Sequence, residues 1–119
     1  MTESGVIDPS ALDALMAATG DDPDFLGEMI DIFLADAVEL LDSMDEALAS
    51  GETEALRRAA HSLKSNAATF GATRLLALAR QLEEQGKSAE LAGSPPFLAA
   101  TRAEFASVED ALRATRASL

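Results

Sequence analysis

One histidine is the residue of this sequence best suited to chemistry near neutral pH. His61 is the only histidine of the chain, and no cysteine is present. An imidazole nitrogen titrates near neutrality and can act as a nucleophile. Lys64 and Ser65 follow it at spacings of three and four residues, which bring side chains together on one face of a helix. The pattern indicates a nucleophile that lies beside a cation and a small neighbour.

The helix predicted around His61 turns the imidazole towards solvent. Its apolar residues recur at helical spacing and define the buried stripe: Leu56, Ala60, Leu63, Ala67 and Phe70. At about 100° per residue, His61 lies roughly 140° from the centre of that stripe. Ser65, Asn66 and Thr69 are weak helix formers, and their clustering beside an exposed histidine favours a functional surface.

The same residues allow other functions for His61 to be compared with nucleophilic chemistry. A surface histidine without a role, in a non-catalytic helical interaction module, stays open as the main alternative. A carboxylate-bridged metal site needs Glu-x-x-His, but Arg58 occupies the position three residues before His61. Spacing alone leaves a Ser-His-Asp triad open, although the sequence has no G-x-S-x-G elbow. No glycine-rich phosphate loop is present, so we expect no nucleotide site.

Composition limits the class of protein. A chain of 119 residues with 48% hydrophobic content is enough for one domain with one core, residues 1–119. A net charge of -12 argues against nucleic acid as a partner. The lysine and arginine residues concentrate in residues 53–80, where five of them accompany a single acidic residue, Glu54. The polar start, residues 1–5, and the lack of a long apolar run predict a soluble, cytoplasmic protein without a membrane partner.

Capping residues and apolar periodicity predict an all-α fold. Asp8, Asp22 and Ser94 each precede a proline, which suits a helix start. We expect glycines to end helices and residues 87–94 to form a loop; these glycines are Gly20, Gly51, Gly71, Gly86 and Gly93. The remaining stripes are Leu26, Ile30, Phe33, Ala37, Leu40, Met44 and Ala47; Leu75, Leu76, Ala79 and Leu82; and Leu98, Thr101, Phe105, Val108 and Leu112. They predict an antiparallel up-down four-helix bundle over residues 23–119, the His61 helix at about 53–70, and a short additional helix within the N-terminal segment 1–22.

The stretch from Ala60 to Ala72, AHSLKSNAATFGA, closely resembles the signature of bacterial histidine phosphotransfer (HPt) domains. That signature runs from a histidine through Leu-Lys and a small residue to an apolar residue and Gly-Ala. The resemblance implies a phosphocarrier rather than an enzyme, with no cofactor on this chain. Its partners would be receiver domains of response regulators, which bring Mg²⁺, and a sensor histidine kinase. The resemblance also favours a monomer, and it leaves room for an inhibitory relative that binds receivers without transfer.

The resemblance assigns roles to individual residues. His61 would carry the phosphoryl group, Lys64 would screen its charge, and Ser65 stands where the family usually has glycine, leaving room for a partner. If the second and third bundle helices turn near Gly71, residues whose numbers sum to roughly 144 lie level, which sets Glu83 beside His61. HPt domains often carry Gln or Glu there. Glu83 could then hold Nδ1 and leave Nε2 as the nucleophile, with an ordinary surface glutamate as the alternative.

Overall fold

The computed structural model describes residues 6–119; residues 1–5, and with them the start of the predicted N-terminal segment 1–22, lie outside the described part. Residues 6–119 form helices and no strand, which confirms the all-α class. The helices are α1 Pro9–Ala18, α2 Pro23–Ser50, α3 Thr53–Thr69, α4 Thr73–Ser88 and α5 Ser94–Ala117, with one 3-10 turn, Leu91–Gly93. None of them is both long and apolar enough to span a bilayer.

Local capping chemistry sets the start and end of α2. The Asp22 carboxylate accepts hydrogen bonds from the backbone N–H groups of Asp24 and Phe25, at 3.0 and 3.3 Å, and Pro23 fills the first helical position. At the other end Gly51 adopts a left-handed φ of 72°. Only Gly51 and Glu52 separate α2 from α3, so the chain reverses at once.

The four long helices pack side by side around one core. α2 contacts α3 and α5, α4 contacts the same two helices, and the α3–α4 contact is the most extensive. The core consists mainly of the predicted stripes; Leu40 and Leu76 are half-buried and pack against it, and Leu34 and Leu41 are buried as well. Leu34 and Leu41 join the core because α2 has two neighbours, which widen its buried face beyond a single stripe.

The predicted boundary between α4 and α5 needs correction. Gly86 does not end a helix, because α4 continues to Ser88 and Gly86 is buried within it. The predicted loop 87–94 therefore shrinks to the residues after Ser88. Ser94 does not cap α5 with its side chain either; its hydroxyl donates to the side-chain oxygen of Gln85, while Gly93 holds the N-cap position. Glycine and serine carry the same local signals whether they end a helix or pack against a neighbour.

The short helix α1 lies against the turn between α3 and α4. The backbone N–H of Asp8 donates to the carbonyl oxygen of Gly71 at 2.9 Å. Gly71 has a φ of 72°, and a Cβ built on it would lie 2.6 Å from Ala11 Cβ and 3.0 Å from the Asp8 carbonyl oxygen. Gly71 is thus required both by its backbone conformation and by the close approach of α1.

We predict that Gly71→Ala destabilises the fold more than Gly51→Ala does. Both glycines have a φ of 72°, but a Cβ at Gly51 would meet nothing within 4 Å. The left-handed φ costs about 1–2 kcal/mol at each position, and crowding against α1 adds about 1–3 kcal/mol at Gly71 alone. Urea unfolding of the two variants measures the difference, and equal losses of unfolding free energy would contradict a close contact between α1 and the turn.

Candidate functional site

His61 lies near the middle of α3 and projects away from the core. Its side chain is 54% exposed, whereas Ala60 and Leu63 on the same turn are fully buried. The apolar residues fix the rotation of α3, because burying their stripe leaves His61 on the outside. A partner can therefore reach the imidazole from solvent.

One carboxylate of α4 contacts both His61 and Lys64. Glu83 Oε2 lies 2.8 Å from His61 Nδ1, and Lys64 Nζ donates to Glu83 Oε1 at 2.6 Å. The side chain of Glu83 is only 4% exposed, so these two contacts replace most of its hydration. His61, Lys64 and Glu83 form a three-residue cluster across the α3–α4 interface, which we call the imidazole cluster.

The charge of Glu83 follows from its partners. The hydrogen bond from Lys64 lowers the pKa of the Glu83 carboxyl below its ordinary value, burial opposes this shift, and the contact with His61 adds to the lowering. Glu83 is therefore ionised near neutral pH and can only accept hydrogen bonds. A neutral His61 must then carry its proton on Nδ1, which leaves the lone pair of Nε2 free.

This arrangement suits His61 to nucleophilic group transfer. A new bond at Nε2 would place positive charge on the ring, and the anionic Glu83 lies directly behind that ring. A fixed opposite charge at hydrogen-bond distance in a poorly hydrated site stabilises such developing charge. No group of three or more His, Cys, Asp or Glu side chains among residues 6–119 is arranged to hold a metal ion.

The remaining basic residues of segment 53–80 divide into paired and unpaired ones. Arg57 forms an ion pair with Glu54, with nitrogen–oxygen distances of 2.6 and 2.9 Å. Arg58, Arg74 and Arg80 are exposed, and within residues 6–119 none has a carboxylate oxygen within 4.0 Å. Among the basic residues of segment 53–80, Arg57 and Lys64 thus each contact a glutamate, whereas Arg58, Arg74 and Arg80 present their charge to solvent.

Sequence reasoning brought Glu83 to His61 but missed its contact with Lys64. The sequence pattern predicts Lys64 only as a cation for an incoming phosphoryl group. The available signal was that Lys64 lies one turn from His61 on α3, within reach of a side chain level with His61. Ser65, the fourth predicted site residue, is exposed one turn beyond His61 and makes no hydrogen bond to Glu83.

A protein-family model, described as the Hpt domain, matches residues 28–117 of this chain. The chain belongs to the Hpt domain family. Histidine phosphotransfer in a phosphorelay is the role that this membership supports. The match covers α3 and α4 entirely, and therefore includes the whole imidazole cluster.

Known relatives resemble this Hpt chain in fold and in part of its sequence. The crystal structure of histidine-containing phosphotransfer protein B (HptB) from Pseudomonas aeruginosa PAO1 has a TM-score of 0.88 and 30% identity, covering 95% of this chain and 96% of that one. The HPT domain of a sensor hybrid histidine kinase from Shewanella shares the fold alone, with a TM-score of 0.73, 18% identity and coverage of 90% and 92%. Sensor protein TorS of Escherichia coli (strain K12) is 42% identical over 64 residues, which are 54% of this chain but only 7% of TorS.

We predict that Glu83→Gln lowers stability near neutral pH by about 1–3 kcal/mol, since a buried charged hydrogen-bond acceptor is lost. The pKa of Glu83 is lowered in the folded chain, so its carboxylate stabilises the fold above the ordinary pKa of 4.5. That contribution disappears as the pH falls through the lowered folded-state pKa. The gap between wild type and variant should therefore narrow in acid, as measured by urea unfolding along a pH series.

Glu84→Gln is the matched control for this prediction. Glu84 is the next residue of α4, is exposed, and pairs only loosely with Lys87 at 3.7 Å. Its replacement should change unfolding free energy little at any pH, because exposed ion pairs contribute little. A Glu83→Gln deficit that stayed constant from neutral to acid pH would contradict the lowered pKa.

Proposed function

We propose that this chain relays a phosphoryl group through His61 between the aspartates of receiver domains, or from a sensor histidine kinase to a receiver. The observation that carries the proposal is an exposed imidazole whose Nδ1 faces the buried carboxylate of Glu83, leaving Nε2 open to solvent. The chain acts as a carrier rather than as an enzyme with its own phosphoryl donor. Membership of the Hpt family supports the same role.

The transfer to His61 is a displacement at phosphorus. The lone pair of Nε2 attacks the phosphorus of an aspartyl phosphate, a P–N bond forms, and the P–O bond to the aspartate breaks. The aspartate leaves as a carboxylate with the bonding electron pair, and the reverse sequence passes the group onward. Phosphoryl transfer of this kind depends mainly on alignment and charge stabilisation, so few protein groups are needed.

Glu83 and Lys64 have distinct tasks in this step. Glu83 retains the proton on Nδ1 and stabilises the positive charge that the ring gains as the P–N bond forms. Lys64 has a flexible side chain that is partly exposed, and its ammonium group balances the negative charge of the arriving phosphoryl oxygens. Ser65, small and exposed, leaves space for the partner's active site one helical turn from the nucleophile.

The partner receiver supplies the groups that this chain lacks. It brings the phosphorylated aspartate, the Mg²⁺ ion that the aspartate needs, and its own lysine; we propose no cofactor on this chain. The exposed Arg58, Arg74 and Arg80 attract the acidic active site of such a partner, although the whole chain has a net charge of -12.

A shallow groove beside α3 offers apolar surface for docking of the receiver. It has a volume of about 270 Å³ and lies between α2 and the end of α3. Ile32, with 61% of its surface exposed, lines it together with Asn66 and Thr69. Thr69 lies eight residues beyond His61, roughly 12 Å along the helix axis, so one partner can cover both.

The finer architecture belongs to the same proposal. Short connections between α2 and α3 and between α3 and α4 support an antiparallel up-down four-helix bundle, with α1 as an additional helix. We propose that residues 1–119 act as one HPt domain, as a monomer, and in the cytoplasm, where the kinases that supply phosphoryl groups draw on ATP. Nucleic acid and membrane are not among the proposed partners.

We predict that His61→Ala abolishes phosphorylation of this chain, because the chain has no other histidine. Incubation with a receiver that has been phosphorylated by acetyl phosphate or by a kinase should label the wild type with an acid-labile, alkali-stable phosphate. The variant should keep its helical content, since the imidazole is exposed. Label that persists on the folded variant would refute the assignment of His61 and favour a non-catalytic interaction module.

We predict that Lys64→Ala slows transfer from a phosphorylated receiver by roughly a hundredfold, the lower end of the loss expected when one charge-stabilising donor is removed. Lys87→Ala is the control, because Lys87 is an exposed lysine at the end of α4 whose one carboxylate partner within residues 6–119 is Glu84. Rapid-quench kinetics measure both rates. Equal rates for Lys64→Ala and wild type would remove Lys64 from the mechanism.

A further inference from the structure

Gly86 lies inside α4 at a point where α4 closely approaches the backbone of α3. The residue is buried, and the helix continues beyond it to Ser88. A Cβ built on Gly86 would lie 2.8 Å from the backbone nitrogen of Arg57 and 3.0 Å from its Cα and Cβ. Ordinary contacts of this kind are 3.4–4 Å, and backbone atoms cannot swing aside as the end of a side chain can. The close approach therefore depends on the missing side chain.

A glycine at this position destabilises α4, and no feature of the local backbone requires it. Inside a helix, glycine is about 1 kcal/mol less favourable than alanine. Gly86 has no left-handed φ that would require it, since the glycines with positive φ in residues 6–119 are Gly20, Gly51 and Gly71. The reason for a glycine is therefore tertiary: only a residue without a side chain fits against the backbone of Arg57.

The close approach lies one helical turn from the imidazole cluster. Arg57 precedes His61 by four residues on α3, and Glu83 precedes Gly86 by three residues on α4. Arg57 therefore faces Gly86 in the turn next to the one in which His61 faces Glu83. A change of helix separation at Gly86 is transmitted directly to the distance between His61 and Glu83.

The two hydrogen bonds of Glu83 differ in their tolerance of such a change. A methyl group at Gly86 would push α4 from α3 by about 0.5–1 Å to restore ordinary contact. The bond between His61 Nδ1 and Glu83 Oε2, now 2.8 Å, would then approach the limit of hydrogen bonding, because an imidazole on a short side chain cannot follow. Lys64, with a long flexible side chain, can keep its contact with Glu83.

We propose that Gly86 is a positioning residue for the nucleophile of this chain. By letting the backbones of α3 and α4 meet, it holds Glu83 at hydrogen-bond distance from His61 Nδ1 and so keeps Nε2 unprotonated. This effect of Gly86 on the protonation of His61 concerns the unphosphorylated chain without a partner. Its consequence for phosphoryl transfer rests on the proposed function.

The test measures the protonation site of His61 in Gly86→Ala. Nitrogen-15 NMR resolves Nδ1–H from Nε2–H, and only one histidine contributes. We expect the fraction of neutral His61 protonated on Nε2 to rise at least severalfold in the variant, with helical content retained by circular dichroism. Gly93→Ala is the control, because its φ is -88° and its Cβ would meet only Gln85 Nε2, at 3.6 Å. That variant should keep the wild-type tautomer.

Two further variants separate positioning from general packing. Glu83→Asp withdraws the carboxylate without adding bulk, so it should shift the tautomer in the same direction as Gly86→Ala. In a Glu83→Ala background, Gly86→Ala should have no additional effect on the tautomer. An unchanged tautomer in folded Gly86→Ala would overturn the proposal, and so would an equal additional shift without Glu83. Loss of helical content in Gly86→Ala would also overturn it, since Gly86 would then be needed for folding as a whole.

Transfer kinetics give an independent readout. If His61 accepts phosphoryl groups as proposed, Gly86→Ala should receive them about tenfold more slowly than wild type, the scale of loss from a misplacement of less than 1 Å. A tautomer shift without any phosphorylation of the wild-type chain would refute the proposed function and leave the positioning role intact. A slower transfer without a tautomer shift would refute the positioning role alone.

Discussion

The site depends on one buried carboxylate that two neighbouring groups share. A lone ionised glutamate with 4% exposure would be costly, because little water remains to solvate it. Lys64 and His61 compensate by occupying the two oxygens of Glu83 at 2.6 and 2.8 Å. The same contacts that make the charge tolerable also fix the protonation of the imidazole. Packing at the α3–α4 interface and the hydrogen bonding of the imidazole are therefore coupled through a single side chain.

The rest of the fold serves to keep two helices in register. α3 and α4 are joined by a turn of three residues, and α1 lies against this turn through Asp8 and Gly71. α2 and α5 cover the remaining faces and supply the buried apolar surface that holds the pair together. If a partner supplies the other half of the chemistry, as we propose, this chain needs no deep pocket. The Hpt family membership of residues 28–117 agrees with such a division of labour.

Much of the local structure could be predicted because its causes are local. Asp22 and Pro23 start α2 through backbone capping, and Gly51 ends it with a left-handed φ, as their types indicate. The exposure of His61 follows from the apolar stripe of α3, which any helix of that sequence would bury. The roles given to Lys64, Ser65 and Glu83 remain predictions. The structure adds that Lys64 and His61 contact the same carboxylate, a contact that no pattern within α3 contains.

By itself, the sequence determined the helical class, the positions of most helix ends and the orientation of His61, because periodicity and capping act over a few residues. Only the tertiary structure decided the distance between helices. Gly86 shows why: in sequence it indicates a helix end, whereas in the folded chain it is the place where α4 meets the backbone of Arg57. A glycine lacks a side chain in either case. Whether the missing side chain ends a helix or makes room for another helix depends on the tertiary neighbour. The spacing of residues within α4 does not specify that neighbour.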